Sequence, residues 1–575
     1  MTGADYVAAF LRHRGVGRIH CTAGVFCALM IDSIARQPGL DYFTHFTERS
    51  AALAADAVWR SSRRIGVAMA GGGPGAANLI PGIACAFHDS VPALFIIGQG
   101  EIERTSFAAM VAPISKTAMT VARAADLPRI LADAWTLAAT GRPGPVVIDI
   151  PLAVQQEPFD HPVLPPDGAQ PTQNPDLAEI AKTLTAFLAE GERPLLLLGG
   201  GVGRAGNTTA LADWLRRDRV PFVATWNAMA CFDHDLPSYL GAVGRHGNRG
   251  ANFALWNCDR LLVLGSRLDD NLRGSDHHFF APAARIHVVE IDVANLARLA
   301  AEGYQTTSLD LCLLPQLLEQ MSPPPLTRGW HDYLEEIRAR YLGRDISTFA
   351  APRRVLSPYA VVQRLSKCLA LDAVVIGDSG ANLCWLFQMF HRRRHALVSA
   401  GGHAPIGYAI PAAIGAVLEQ PRRQVVAVFG DGGLLASLQD LQTLAYHRLG
   451  IALVVFNNNG YGLLKDYQNQ TCGGRHEATG RLYSLPDFER IAAAFDLEYR
   501  RIDHVEQIGA DLFLTGGPIL IEIIIAEETP VEPQIPPDGE IARQNPPLSD
   551  VERGFASRFV PLAPARMDEP NRSGR

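Results

Sequence analysis

The sequence predicts an α/β protein of three consecutive doubly wound parallel-sheet domains, and three observations carry that prediction. Short apolar runs such as 425–429 and 451–456 end in clusters of Gly, Asp or Asn, the pattern of strands buried on both faces of a parallel sheet. Stretches of helical spacing alternate with them, as Leu434, Leu438, Leu441, Leu444 and Ala445 do between those two runs. Two proline-rich polar breaks, at 161–176 and 322–327, divide the 575 residues into blocks of ordinary domain size.

The first block, 1–160, reads as helices over 4–13 and 51–60 alternating with strands over 65–70, 93–98 and 145–150. The second, 176–321, carries strands over 194–198, 260–265 and 286–291, the first running into Gly199-Gly200-Gly201-Val202-Gly203. The third, 357–535, carries strands over 373–376, 425–429 and 451–456. Residues 536–575 are rich in proline and charge and read as a C-terminal tail, disordered over 571–575.

Composition narrows the partners. With 52 basic against 59 acidic residues the net charge is −7, and no long basic block offers a surface to nucleic acid or an anionic membrane. The nine cysteines are scattered without a Cys-x-x-Cys pair, so zinc ribbons and disulfide frameworks are not expected and a reducing cytoplasm is. The N-terminal region lacks a secretory apolar core, and no apolar run reaches membrane-spanning length.

The most chemically specific stretch joins Gly430-Asp431-Gly432-Gly433 to Asn457-Asn458. Each follows an apolar run, so strand, helix and parallel strand place Asp431 and Asn458 outside carboxyl strand ends, where open α/β sheets bind ligands. A carboxylate and an amide oxygen, beside glycines that admit close backbone approach, suit Mg²⁺ or Ca²⁺ holding a diphosphate.

This Gly-Asp-Gly to Asn-Asn block resembles the thiamine-diphosphate signature. The resemblance implies Mg²⁺ ligation by Asp431, the Asn458 side chain and the Gly460 carbonyl, with Gly430, Gly432, Gly433 and Leu463 at the cofactor. In the first block, Glu48 at the start of the helix over 51–60, then 71–78 with Gly73, Pro74 and Asn78, then Asp89-Ser90-Val91-Pro92, resemble in their order the pyrimidine-binding domain of acetolactate synthases. There the matching glutamate protonates N1′ of the aminopyrimidine, work best done in an apolar cleft. Gly401-Gly402-His403-Ala404-Pro405-Ile406-Gly407 matches the segment that bends the cofactor, with Ile406 at the bend and the Ala404 carbonyl at the 4′-amino group. Ser379, Gly380, Ala381 and Asn382 match the second diphosphate loop, with hydrogen bonds expected from the Ser379 and Asn382 side chains.

The resemblance covers residues 1 to about 550. It implies pyrimidine-binding, middle and diphosphate-binding domains in that order, and a site shared between two chains, hence at least a homodimer and in its fuller form a homotetramer. In the middle block, Gly201, Arg245, His246, Gly247 and Arg267 lie in segments similar to those that contact FAD in acetolactate synthases. Lys116 also matches the family and is assigned to the catalytic set.

Three departures fall on the acceptor side. Asn271 stands where the synthases carry an arginine that clamps the second keto acid, with Arg273 nearby as the one candidate replacement. Tyr467 stands in place of a tryptophan, and the chain between Gln99 and Ile114 is shorter than in the family. The expected activity is therefore decarboxylation of a 2-keto acid, pyruvate first, with transfer of the acyl-anion equivalent to a ketone, aldehyde or keto-sugar, as in flavin-containing carboligases of branched-sugar biosynthesis. His403 is then a candidate proton donor to the new alkoxide, its alternative a structural histidine. The alternatives in function are acetolactate synthase proper and a simple 2-keto-acid decarboxylase.

Overall fold

The computed structural model describes residues 1–100, 106–160, 175–206, 208–352, 355–514 and 516–562. Three six-stranded sheets, parallel throughout, follow one another along the chain, as the apolar runs and their polar ends predict. The first has the spatial order Asp41–Thr44, Arg18–Cys21, Gly66–Gly71, Ala93–Gln99, Pro145–Pro151, Thr117–Thr120. The third repeats that order with Ala396–Val398, Val374–Gly377, Val425–Gly430, Ile451–Asn457, Ile519–Ile524 and Glu498–Ile502. In both, the order reverses between the sheet's first and third strands, and ligand crevices open at such reversals.

The middle sheet is wired differently. Its order is Gln305–Ser308, Arg285–Glu290, Arg260–Leu264, Pro194–Leu198, Phe222–Ala224, Tyr239–Ala242, the dinucleotide-binding order with its reversal between Pro194–Leu198 and Arg260–Leu264. The glycine run after 198 and Gly265-Ser266-Arg267 therefore leave the sheet side by side. The Gly201 amide donates to the Gly265 carbonyl at 2.9 Å, and a Cβ on Gly201 would lie 2.9 Å from the Gly265 Cα.

Helices cover both faces of each sheet, and two of them join the outer domains. Helix Glu48–Ser62, capped by the Thr47 hydroxyl on the Ser50 amide, packs along Ala409–Glu419 of the third domain through alanines and glycines. A Cβ on Gly415 would lie 2.3 Å from the Ala54 carbonyl oxygen, so close helix approach depends on that glycine. At the far end of the same helix, buried Arg60 bridges Asp56 at 2.7 Å and Asp89 at 2.9 Å and donates to the Ser399 carbonyl. Tyr408 donates to Asp56, while Asn227 and Arg204 of the middle domain reach Asp89, so one network ties all three domains.

The reading of 536–575 as a tail is corrected over its first part. Buried Arg249 bonds Gln544 and Glu552, and Asn257 donates to the Ala556 carbonyl while its oxygen accepts from the Phe559 and Val560 amides. Ile541, Leu548 and Phe555 join the middle-domain core. The prolines and charges decorate a strap whose apolar residues have a partner surface elsewhere in the chain. The 571–575 end, most of the 161–176 break and part of the shortened loop after Gln99 lie outside the described residues.

One buried pair makes stability depend on pH. His20 and His45 lie beneath the first sheet with ring nitrogens 3.0 Å apart. Burial, and then the nearby Arg18 charge, holds His20 down at about 3; burial and the neighbouring histidines hold His45 well below its ordinary value. Both are thus neutral in the fold and take up protons on unfolding, so the stability their neutrality contributes is complete above about pH 6.5 and lost as pH falls below it. The expected loss is about 1.4 kcal/mol per pH unit for each histidine. Thermal melts between pH 7 and 5 should show it, and a His20→Asn, His45→Gln variant should flatten the slope; an unchanged slope would refute the assignment.

Candidate active site

Glu48 is the first residue of its helix, and two side chains fix its carboxylate. Thr22, just past strand Arg18–Cys21, donates to Oε1 at 3.2 Å, and Asn78 donates to Oε2 at 3.1 Å. The turn at Gly73, with φ of 65°, starts the short helix Pro74–Asn78, and a Cβ on Gly75 would come within 3.2 Å of Glu48 Oε1. Gly73, Pro74 and Asn78, assigned to the cofactor from sequence, are here the frame that aims Glu48. Thr22 was not foreseen, since a threonine after a strand has no motif.

The neighbouring residue connects this frame to the third domain. Arg49 donates to the Ala436 carbonyl at 2.9 Å and to the Ile406 carbonyl, so the Glu48 helix start and the Ile406 segment touch within one chain. Gly407, at φ of 79°, admits that approach, because a Cβ there would lie 3.1 Å from the Arg49 guanidinium. Ala404 is left-handed at φ of 51°, a conformation that costs a non-glycine residue about 1 kcal/mol. Ile406 leaves 38% of its surface exposed.

Asp378 locks this segment onto the next loop. Its carboxylate accepts from the amides of Ser379 at 2.8 Å, Gly407 at 2.9 Å and Ala409 at 2.8 Å, and burial pushes it up to about 6 against those bonds. Ser379 and Gly380 then open helix Ala381–Met389, with Gly380 at φ of 112°. The expectation that the Asn382 side chain donates to a ligand is corrected: its amide donates to the Asp378 and Val428 carbonyls, so it holds the loop to the sheet.

Asp431 is buried at the end of Val425–Gly430 and faces neutral donors: the Gly432 amide at 2.6 Å, the Gly460 amide at 3.0 Å and the Tyr483 hydroxyl at 3.2 Å. Burial raises its pKa. Asn458 is buried beside it and uses its amide nitrogen on the Glu527 carbonyl. Gly433 packs within contact distance of Asp378, and Gly432 beneath Tyr461. An unneutralised buried carboxylate, an amide oxygen and the Gly460 backbone fit a hard divalent cation. Buried Lys465, absent from the sequence assignments, braces the same turn by bonds to Glu527 at 2.6 Å and the Asn459 carbonyl at 3.4 Å.

A cavity of about 620 Å³ runs from this edge into the middle domain. Ser379, Gly380, Ala404 and Leu463 line one end, and Gly201, Arg245, His246 and Arg267 the other. Among the described residues the buried Nε atoms of Arg204 and Arg245 have no hydrogen-bond partner, and a dinucleotide's diphosphate would satisfy them. His246 is held down at about 4 by burial and the Arg245 charge. Gly247 lies off the cavity and shapes the turn, donating to the Gly244 carbonyl at 2.9 Å.

Two residues sit otherwise than the sequence offered. Lys116 is removed from the catalytic set: its ammonium caps helix Leu127–Ala139 by donating to the Leu137 and Thr140 carbonyls at 2.5 Å. Arg273 does not replace the missing clamp, being buried against Glu302 at 2.5 Å and the Tyr304 hydroxyl at 3.3 Å. His403 stacks on His88 of the first domain, a residue no sequence motif singled out. Tyr467 is half exposed on helix Gly462–Thr471.

Known families fall on the three sheets in order. The family model for the N-terminal TPP-binding domain of thiamine pyrophosphate enzymes matches residues 1–119, that for their central domain 181–305, and that for their C-terminal TPP-binding domain 378–523. Fold and matches together define a thiamine-diphosphate-dependent enzyme. Among curated relatives, the acetolactate synthase large subunit of Parasynechococcus marenigrum is 31% identical, over 93% of this chain and 90% of that one. The isozyme 2 large subunit of Escherichia coli is 30% identical over 93% and 98%, and the large subunit of Lactococcus lactis 27% over 93% and 94%. The chain belongs to the acetolactate synthase family, enzymes that form carbon–carbon bonds with thiamine diphosphate.

Proposed function

We propose that the protein decarboxylates a 2-keto acid, pyruvate first, and joins the remaining acyl unit to a ketone, aldehyde or keto-sugar. The observation that supports this reading is at position 271: Asn271 lines the cavity where the synthases are expected to carry an arginine, and Arg273, two residues on, is held by Glu302 instead. The substitution removes the bidentate partner expected for a second carboxylate and favours a neutral acceptor.

Bound thiamine diphosphate supplies the carbon nucleophile and the electron sink. Glu48 would exchange a proton with the cofactor's pyrimidine, Arg49 and Asp378 hold the Ile406 segment beside the Glu48 helix start, and Asp431, Asn458 and Gly460 would hold Mg²⁺. His403 would deliver a proton to the acceptor oxygen as the new bond forms. Gly201, Arg245, His246 and Arg267 would hold FAD, whose role in this reading is structural.

The same reading includes a homodimer at minimum, with a homotetramer as the fuller assembly. Phe46, Tyr461, Leu464 and Tyr467, which adjoin the site residues, are each at least 40% exposed in a single chain, and a partner would cover them. Among the described residues no disulfide joins any of the nine cysteines, which supports a cytoplasmic setting, and no helix there is long and apolar enough to cross a membrane.

Acetolactate synthase proper is the second reading, favoured by the names of the relatives. Product analysis by mass separates the two. Incubated with pyruvate, ThDP, Mg²⁺ and a panel of ketones, aldehydes and keto acids, the enzyme should give mixed products with a neutral acceptor in preference to acetolactate. Acetolactate as the main product would favour the second reading, and free acetaldehyde alone would reduce the activity to decarboxylation.

A further inference from the structure

Beside the large cavity, in the middle domain, lies a second one of about 170 Å³. The two share a wall of Gly244, Arg245, Asn271 and Leu272. Gly244, at φ of 110°, has no side chain to thicken that wall, and Asn252 pins it by accepting from its amide at 3.0 Å and donating to its carbonyl at 3.1 Å. Asn271 lines both cavities and is itself exposed, so it stands at an opening between them, where the longer arginine expected in the synthases would intrude. The C-terminal strap closes the far side. The Ile535 amide donates to the Arg245 carbonyl at 2.8 Å and the Ser275 amide to the Pro537 carbonyl at 2.9 Å, which seats Ile535, Pro536 and Pro537 against the second cavity.

The remaining walls are mainly apolar. Leu255, Trp256, Phe279 and Phe280 line them, with the Trp256 and Phe279 rings within 19° of parallel and their centroids 6.4 Å apart. The polar groups among them are already spent: Trp256 donates to the Val560 carbonyl, Asn252 holds Gly244, and Asp270 pairs with His277 at 2.9 Å. Arg273 gives its charge to Glu302 at 2.5 Å and keeps a buried Nε without a partner among the described residues, a donor for one oxygen atom but no free counter-ion for a carboxylate. A dry apolar cavity of about 150 Å³ holds a benzene ring. The space beside Asn271 therefore suits a single six-membered ring, and not a polyhydroxylated chain, whose many hydroxyls would be buried without partners.

We propose that the second cavity is an acceptor subsite: the acceptor carbonyl reacts in the large cavity while an apolar tail of about one ring passes Asn271 and is buried against Trp256 and Phe279. This rests on the carboligase reading above and narrows its acceptors to aldehydes and ketones with an aryl or branched alkyl tail. The tail takes no part in bond making. Its burial releases water from the ring and from the wall, and that binding energy, present in ground state and transition state alike, raises kcat/KM for acceptors that fill the space. It also gives the strap a task, since Ile535, Pro536 and Pro537 bound a space that selects substrate.

The test uses the holoenzyme with pyruvate and, in separate reactions, propanal, 3-phenylpropanal and a ketohexose, following ligated product. In the wild type kcat/KM for 3-phenylpropanal should exceed that for propanal by about tenfold or more, the scale on which an apolar pocket selects. Leu272→Trp, which thickens the shared wall, should bring the two aldehydes level by lowering the phenyl compound far more than propanal. Phe279→Ala, which enlarges the space, should move the optimum to 3-(2-naphthyl)propanal, and propanal turnover reports whether either variant has folded. Equal values for the two aldehydes in the wild type, a preference for the ketohexose, or a phenyl preference unchanged in both folded variants overturns the subsite and leaves the carboligase reading intact. Wild-type enzyme that gives only acetaldehyde or acetolactate with every acceptor overturns that reading instead. A second arm needs no turnover: in calorimetric titration 3-phenylpropan-1-ol, which has the tail but no carbonyl, should bind the wild type about tenfold more tightly than Leu272→Trp, and equal affinities would overturn the subsite.

Discussion

Glu48→Gln lowers carbon dioxide release from pyruvate by about 10²–10⁴-fold, the range for loss of a positioned acid–base group. The substitution isolates the proton. Glutamine keeps the length of the side chain and one oxygen for the Asn78 amide nitrogen, now 3.1 Å from Oε2, while its NH2 meets the Thr22 hydroxyl, now 3.2 Å from Oε1, which can turn to accept, so the frame has no reason to open. What it removes is a group able to give and retake a proton at the pyrimidine nitrogen. ThDP retention should therefore stay near wild type while turnover collapses, and exchange of the cofactor's C2 proton for deuterium should slow in parallel. Carbon dioxide release at the wild-type rate would mean that Glu48 does not activate the cofactor.

The parts of this site that could be read from sequence are those whose partners are local. Asp431 and Asn458 announce themselves because each ends an apolar run, and a parallel strand puts its last residue at the crevice. Glu48 is legible for the same reason at a helix start. Asp378 lay in a recognised loop, yet its work on the Gly407 and Ala409 amides spans a separation no motif spacing records. Arg49 and His88 act on another domain and were invisible. Lys116 shows the opposite error, a positional match whose ammonium folds onto a helix end. Composition misread 536–562, because proline and charge describe what faces water and say nothing of Ile541 or Phe555 meeting a core built some two hundred residues earlier.

Asp431→Asn tests the cation site without dismantling it. The asparagine oxygen can still accept from the Gly432 or Gly460 amide, so the turn should persist and the melting temperature should move by a few degrees at most. The negative charge is gone, and with it the strongest oxygen ligand for Mg²⁺. Metal-dependent ThDP retention should weaken by about 100-fold, equivalent to about 2.7 kcal/mol; equilibrium dialysis with and without Mg²⁺ reads it, and unaltered retention would sink the ligand assignment. The same variant asks who supplies Glu48. Within one chain Arg49 already brings the Glu48 helix start to Ile406, whereas the family arrangement pairs Glu48 with a partner's cation site. Mixing Glu48→Gln with Asp431→Asn subunits separates the two. If the site is shared between chains, random dimers carry one intact site in half of all pairs, and about one quarter of wild-type turnover returns. If each chain completes its own site, every site in the mixture holds one lesion and no activity is recovered.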